Sequence, residues 1–136
     1  GLTPDTYQVW AYAYDALGNW TQTEISVNVS ASAAKTMTVT SITLSGTVRG
    51  STANITGTVV VKDNAGKAVS GANVAIRWTL PNGSTKTASG NTNSSGSAKF
   101  TTSGSRGTYT LTVTNVVKTG YTFNAAGSVL TRSITK

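Results

Sequence analysis

Between Val59 and Leu80 the chain runs through three valines, the hexapeptide Lys62-Asp63-Asn64-Ala65-Gly66-Lys67, a second short turn at Ser70-Gly71-Ala72, and the segment Asn73-Val74-Ala75-Ile76-Arg77-Trp78-Thr79-Leu80. No other stretch limits the fold so strongly. Asp63 and Asn64 hydrogen-bond readily to their own backbone and Gly66 tolerates positive φ, so the hexapeptide predicts a reverse turn. After Gly71, Val74, Ile76, Trp78 and Leu80 fall on one face and Ala75, Arg77 and Thr79 on the other, the period of a half-buried strand. A turn followed by a two-residue period predicts antiparallel β-structure.

The rest of the chain repeats that grammar. Alternating segments at 38–48, 53–62, 73–80, 84–89, 97–102, 107–116 and 128–135 predict seven strands, separated by Arg49-Gly50-Ser51, Asn64-Ala65-Gly66, Pro81-Asn82-Gly83, Asn93-Ser94-Ser95-Gly96 and Ser103-Gly104-Ser105-Arg106-Gly107. Short strands at this spacing suit an antiparallel sandwich. Tyr109, Leu111 and Val113 line one face of their segment and Thr110, Thr112 and Thr114 the other, so core inside and threonine outside are expected. Trp78, Phe100, Tyr109 and Phe123 are expected in the core. With 136 residues and 38% hydrophobic content, the chain supports one modest core or one core and part of another.

Residues 1–30 form a separate pattern. Tyr7, Val9, Ala11 and Ala13 alternate with Trp10, Tyr12 and Tyr14, the turn Asp15-Ala16-Leu17-Gly18-Asn19 follows, and Ile25, Val27 and Val29 continue at period 2. This predicts a β-hairpin. A lone hairpin is marginal in water, so packing on the sandwich or on a neighbouring molecule is expected to order it. Residues 31–37 begin with small, patternless side chains and are expected to be a linker, leaving the sandwich to residues 38–136.

The chemical stock is small. There is no His and no Cys, and the carboxylates are Asp5, Asp15, Glu24 and Asp63. Acid–base and nucleophilic catalysis draw on those groups, so no catalytic residue, cofactor or metal is expected and the chain is read as not being an enzyme. Ser32-Ala33-Ala34-Lys35, Ser133-Ile134-Thr135-Lys136 and Lys118-Thr119-Gly120 match fragments of the penicillin-binding signature, but that chemistry needs its serine on a helix in a much longer chain. The Asn-x-Ser/Thr sequons at Asn19, Asn28, Asn54, Asn82 and Asn93 arise freely in this composition.

Net charge is +7, yet the eleven Lys and Arg are spread from Lys35 to Lys136 without a run. A solvated basic surface is expected, with attraction to an acidic polysaccharide as the sharper alternative; nucleic acid is not expected as a partner. No window has the roughly 18 consecutive apolar residues of a membrane helix, and no membrane partner is expected. Low charge, abundant Ser, Thr, Asn and Gly, and the lack of Cys fit a secreted or cell-surface bacterial protein.

The series Val61, Asp63, Gly66, Val69, Gly71, Ala72, Val74, then Thr92-Asn93-Ser94-Ser95-Gly96-Ser97-Ala98-Lys99-Phe100, then Gly107-Thr108-Tyr109-Thr110-Leu111-Thr112-Val113, resembles bacterial immunoglobulin-like domains. Group 1 domains of invasin and intimin stalks share this cadence, as do carboxypeptidase-regulatory-like and Cna B-type sandwiches. The likeness covers roughly residues 38–136. Tyr7-x-Val9-x-Ala11-x-Ala13-x-Asp15-x-x-Gly18-Asn19 resembles the last two strands of a second such domain.

The resemblance implies an immunoglobulin-like sandwich of about seven strands, preceded by a terminal hairpin. It also implies a spacer or accessory role beside neighbouring domains of a parent chain, such as a multidomain hydrolase. In Cna B-type modules it further implies a Lys–Asn isopeptide bond, for which Lys62 with Asn115 or Asn124 and a carboxylate from Glu24 or Asp63 are the available groups. An adhesin stalk repeat is a further expectation. The alternative is a carbohydrate-binding module: Trp10, Tyr12 and Tyr14, with Trp20 near the turn, would stack a polysaccharide on an exposed sheet face, helped by positive charge. The competing expectation for that stripe is burial against the sandwich or the next domain.

Overall fold

The computed structural model describes residues 2–3, 5–30 and 35–136, and these contain strands and turns with no helix. The chain divides into two units, Gly1–Ala33 and Ala34–Lys136.

The first unit is the expected hairpin. Strands β1 (Asp5–Tyr14) and β2 (Trp20–Val29) pair antiparallel without a break from Asp5 opposite Val29 to Tyr14 opposite Trp20.

The second unit is an all-β sandwich of eight strands: β3 (Lys35–Arg49), β4 (Thr52–Asp63), β5 (Asn73–Thr79), β6 (Thr85–Asn91), β7 (Ser97–Ser105), β8 (Thr108–Val117), β9 (Tyr121–Phe123) and β10 (Thr131–Thr135). One sheet has the order β10-β8-β5-β6 and the other β7-β4-β3-β9. Every pairing is antiparallel except β3 with β9. The seven expected strands are present, and β9 is the addition. Three residues are too few to show a period, and its partner lies more than eighty positions earlier in the chain.

That pairing also moves the start of the sandwich. Of the linker expected at 31–37, residues 31–34 lie outside the described residues, whereas Lys35, Thr36 and Met37 pair with Tyr121, Thr122 and Phe123 as the first turn-in of β3. Met37 is fully buried in the core. The strand expected at 128–135 is shorter for a related reason. Val129 donates its N–H to Val39 of one sheet while Val113 of the other donates to Leu130, so residues 129 and 130 pass between sheets before β10 begins.

The core follows the period-2 reading. Val74, Ile76 and Trp78 of β5 and Tyr109, Leu111 and Val113 of β8 are buried, facing Ile55, Val59 and Val61 of β4. Phe100 is buried as expected, and Phe123 is partly buried against the same cluster. Trp78 reaches across to β4 where there is no side chain: a Cβ on Gly57 would lie 3.2 Å from Trp78 Cη2 and 2.5 Å from Leu111 Cδ1. Tyr109 is accommodated similarly, with its Oη 2.9 Å from where a Cβ on Gly104 would stand, and it donates to the Ser105 carbonyl at 2.6 Å. Close-packed interiors require such pairing of bulk with absence.

Three turns share one design. Asp15, Asp63 and Asn93 each accept backbone N–H groups two and four residues ahead on a side-chain oxygen. Each then receives the N–H of a glycine three residues ahead on its carbonyl. The glycines, Gly18, Gly66 and Gly96, have φ of 82°, 77° and 72°. The Pro81-Asn82-Gly83 turn keeps the backbone bonds, but position one is Leu80, and Asn82 holds Ser84 instead.

One buried polar residue ties the turns together. Thr92 donates its hydroxyl to the Val69 carbonyl at 2.6 Å and accepts the Ala72 N–H at 2.9 Å. This bracket holds the crossover from β4 to β5 against the crossover from β6 to β7.

Candidate functional site

In an antiparallel ladder, residues opposite one another share a face. The β1–β2 register sets Trp10 opposite Glu24, Tyr12 opposite Gln22 and Tyr14 opposite Trp20. All four aromatic residues singled out by sequence therefore share one face of the hairpin. They are 45% to 72% exposed, and the Tyr12 and Trp20 rings lie 6.1 Å apart, tilted by 47°. Gln22 and Glu24 lie on the same face, so exposed aromatic rings and polar side chains stand side by side there.

The turn end of this face is held firmly. Asp15 accepts the Asn19 side-chain amide at 2.8 Å and the N–H groups of Asn19 and Leu17 at 2.8 and 2.9 Å. The Asn19 side chain, followed by its backbone N–H, holds the Asp15 carboxyl below its ordinary value, against the small opposing effect of desolvation. A shallow recess of about 300 Å³ lies here, lined by Ala13, Tyr14, Asp15, Asn19, Trp20 and Thr21.

Two properties of the hairpin were not foreseen. Its second face, with Val9, Ile25 and Val27, is also exposed, so both faces carry apolar surface. Its charged side chains are Asp5, Asp15 and Glu24 alone, because every Lys and Arg lies at or beyond Lys35. The positive charge thus belongs to the second unit.

In the sandwich the expected chemistry stays apart. Lys62, Asn115 and Asn124 are exposed on the surface, and the Asp63 carboxylate accepts the N–H groups of Ala65 and Lys67. The core therefore lacks the apposed groups that an isopeptide bond requires. Ser133 lies on β10 and Lys118-Thr119-Gly120 follows β8, so neither penicillin-binding fragment has a helical setting; the serine of the third lies outside the described residues. Among the described residues there is no group of three or more His, Cys, Asp or Glu that could hold a metal, and no helix long and apolar enough to cross a membrane.

No family model, no curated protein and no solved structure matches this chain.

Sequence reasoning missed a groove of about 440 Å³ bounded by residues 54–56 of β4, residues 101–103 of β7 and Lys86 of β6. Lys86 looks like an ordinary outward lysine in a polar segment. Only the register with β5 reveals its face.

Proposed function

We propose that the second unit is an in-line spacer module of a secreted or cell-surface bacterial protein, built as an immunoglobulin-like sandwich and acting mechanically rather than catalytically. The observation that carries this reading is the position of its two ends. β3 enters beside the Asp63–Lys67 turn, with Met37 opposite Asp63 and the Asn64 N–H on the Thr36 carbonyl. Lys136 sits at the other pole: it exchanges two backbone bonds with Gly107, and the neighbouring Arg106 bonds Ser51 and Gly50, just beyond the end of β3. A chain that enters at one pole and leaves at the other holds whatever flanks it apart. The Lys136 side chain lies beside Gly46, and the run of β3 from Lys35 to Gly46 sets that separation at roughly 40 Å at about 3.3 Å per residue.

The immunoglobulin-like part of the proposal is supported by strand order and two side chains. Counted within the sandwich, strands one, two and five share a sheet, as do three, six and the last, which is the immunoglobulin arrangement with the fourth strand added beside the third. Trp78 is buried on the third strand, and Tyr109, near the start of the sixth, donates back to a carbonyl four residues upstream.

Spin labels on Lys35→Cys and Lys136→Cys test the spacer reading directly, because the chain has no other cysteine. One narrow distance distribution centred at roughly 40 Å is expected. A broad distribution, or one centred near half that value, would sink it.

A second reading rests on the exposed aromatic face of the hairpin: it binds a polysaccharide through Trp10, Tyr12, Tyr14 and Trp20. Since its only charges are carboxylates, neutral polymers are the expected ligands. In affinity electrophoresis, a neutral polysaccharide should retard the chain and Trp10→Ala should abolish most of the effect. Unchanged mobility across a panel of neutral polymers rejects this reading and leaves the spacer proposal untouched.

A further inference from the structure

The first strand of the sandwich and its last stretch of chain run side by side. Lys35, Thr36 and Met37 pair in parallel with Tyr121, Thr122 and Phe123. The contact continues past β9: Asn124 donates its N–H to the Met37 carbonyl at 2.9 Å, and Val129 donates to the Val39 carbonyl at 2.8 Å. Between these two bonds sits Ser128. Its hydroxyl accepts the Val39 N–H at 3.0 Å and donates to the Asn124 carbonyl at 2.6 Å, so one side chain fastens residues 124–128 to β3.

Residues 35–39 are set apart from the rest of β3. On their other side Met37, Thr38 and Val39 pair with Asp63, Lys62 and Val61 of β4, and the register then slips between Val39 and Ser41. The bulge at Thr40 interrupts the ladder at that point. This short stretch is therefore held between two neighbours, and its Met37 and Val39 side chains are buried in the core. Hydrogen bonds beside a buried apolar layer are electrostatically stronger than bonds in open water.

Direction decides what these bonds do under tension. The chain enters at Lys35 and leaves at Lys136, at opposite poles, so a pull on the two ends draws residues 35–39 lengthwise past β4 and past residues 121–129. β10 is drawn lengthwise along β8 in the same way, up to the paired bonds of Lys136 with Gly107. Inter-strand hydrogen bonds lie across the strands. A lengthwise pull strains them together, whereas a sideways pull opens a ladder one bond at a time. We propose that residues 35–39 and residues 121–129 form a shear clamp, pinned by Ser128, that makes this module resist extension along its own axis. The clamp rests on the spacer reading, since only a module joined at both ends carries axial tension. The same contacts also close the sandwich between its first and last strands, and that static role has no direction.

Single-molecule force spectroscopy of the whole chain tests the clamp, with handles on introduced cysteines because the chain has none of its own. Lys35→Cys with Lys136→Cys pulls along the axis and leaves the hairpin outside the tether. Lys35→Cys with Lys67→Cys pulls from one pole, where the Asn64 N–H meets the Thr36 carbonyl, and peels β3 from its neighbour. At one pulling rate, the axial geometry should need a severalfold higher rupture force. Ser128→Ala should lower the axial force and with it the axial-to-peeling ratio. Thr92→Val, which breaks a buried bracket outside both terminal strands, should lower the denaturant midpoint and keep that ratio. Forced rupture reads the unfolding barrier and the midpoint reads the equilibrium, so the two effects separate. Equal forces in the two geometries overturn the clamp, as does a ratio that Ser128→Ala leaves intact or that Thr92→Val lowers as far. If the spin-label distance is roughly 40 Å, such a result rejects the clamp and keeps the spacer, whereas a wrong distance rejects the spacer itself.

Discussion

Trp78→Ala is expected to cost the sandwich about 3–5 kcal/mol, the range for truncating a large buried aromatic. The indole bridges the two sheets: it is anchored on β5 between the Leu111 and Lys86 registers, and its far edge rests on the bare backbone of Gly57. Gly57 has no side chain to offer the vacated space, and Leu111 and Leu44 already meet its backbone there. Cavity and transfer penalties therefore both apply. For a domain of this size the melting temperature should fall by roughly 12 °C or more, at about 4 °C per kcal/mol. Differential scanning calorimetry separates this transition from any signal of the hairpin. A loss below about 1.5 kcal/mol, the usual ceiling for well-tolerated core swaps, would mean that the bridge between the sheets is not as described.

Gly96→Ala is expected to cost about 3 kcal/mol, and Gly66→Ala only about 1, although the two glycines occupy the same position of the same turn. Both have positive φ, 72° and 77°, so an alanine pays the left-handed penalty at either site. The surroundings differ. A Cβ on Gly66 meets nothing within 4 Å, whereas one on Gly96 would lie 2.5 Å from the Val61 carbonyl oxygen and 3.2 Å from Ala68 Cα. These are backbone atoms, and they are fixed: Val61 donates to the Gly96 carbonyl at 2.8 Å and accepts from Val69 at 3.1 Å. Rotamer changes cannot relieve such a clash. Chemical denaturation of the two variants measures the contact as a difference in midpoint at constant m. Equal losses at the two glycines would show that the close approach of the turn to β4 carries no energy.

The turns were legible because their bonds are local. An Asp or Asn followed three residues later by Gly closes its loop with groups inside five residues, and Asp15, Asp63 and Asn93 each announce themselves in this way. The core faces of β5 and β8 were legible for the same reason, since alternation in a single strand decides which side chains point together. Thr92 was not. It stands among Asn and Ser in a polar segment, and its burial comes from carbonyl and N–H groups twenty or more residues away.

The aromatic face of the hairpin was only half legible. Alternation puts Trp10, Tyr12 and Tyr14 together, but Trp20 joins them because the turn has a length that pairs it with Tyr14. One residue more in that turn would have sent Trp20 to the face of Val9 and Ile25.

By itself, the sequence of this protein determined its class, its turns and the inward face of its main strands, because strand period and turn chemistry act over a few residues. Only the tertiary structure decided which strands became edges, where β9 pairs, and which glycines leave room for Trp78 and Tyr109. It also turned Lys86 from a surface charge into the mouth of a groove. Those outcomes depend on contacts between segments far apart in the chain, and a local pattern holds no record of its distant neighbour.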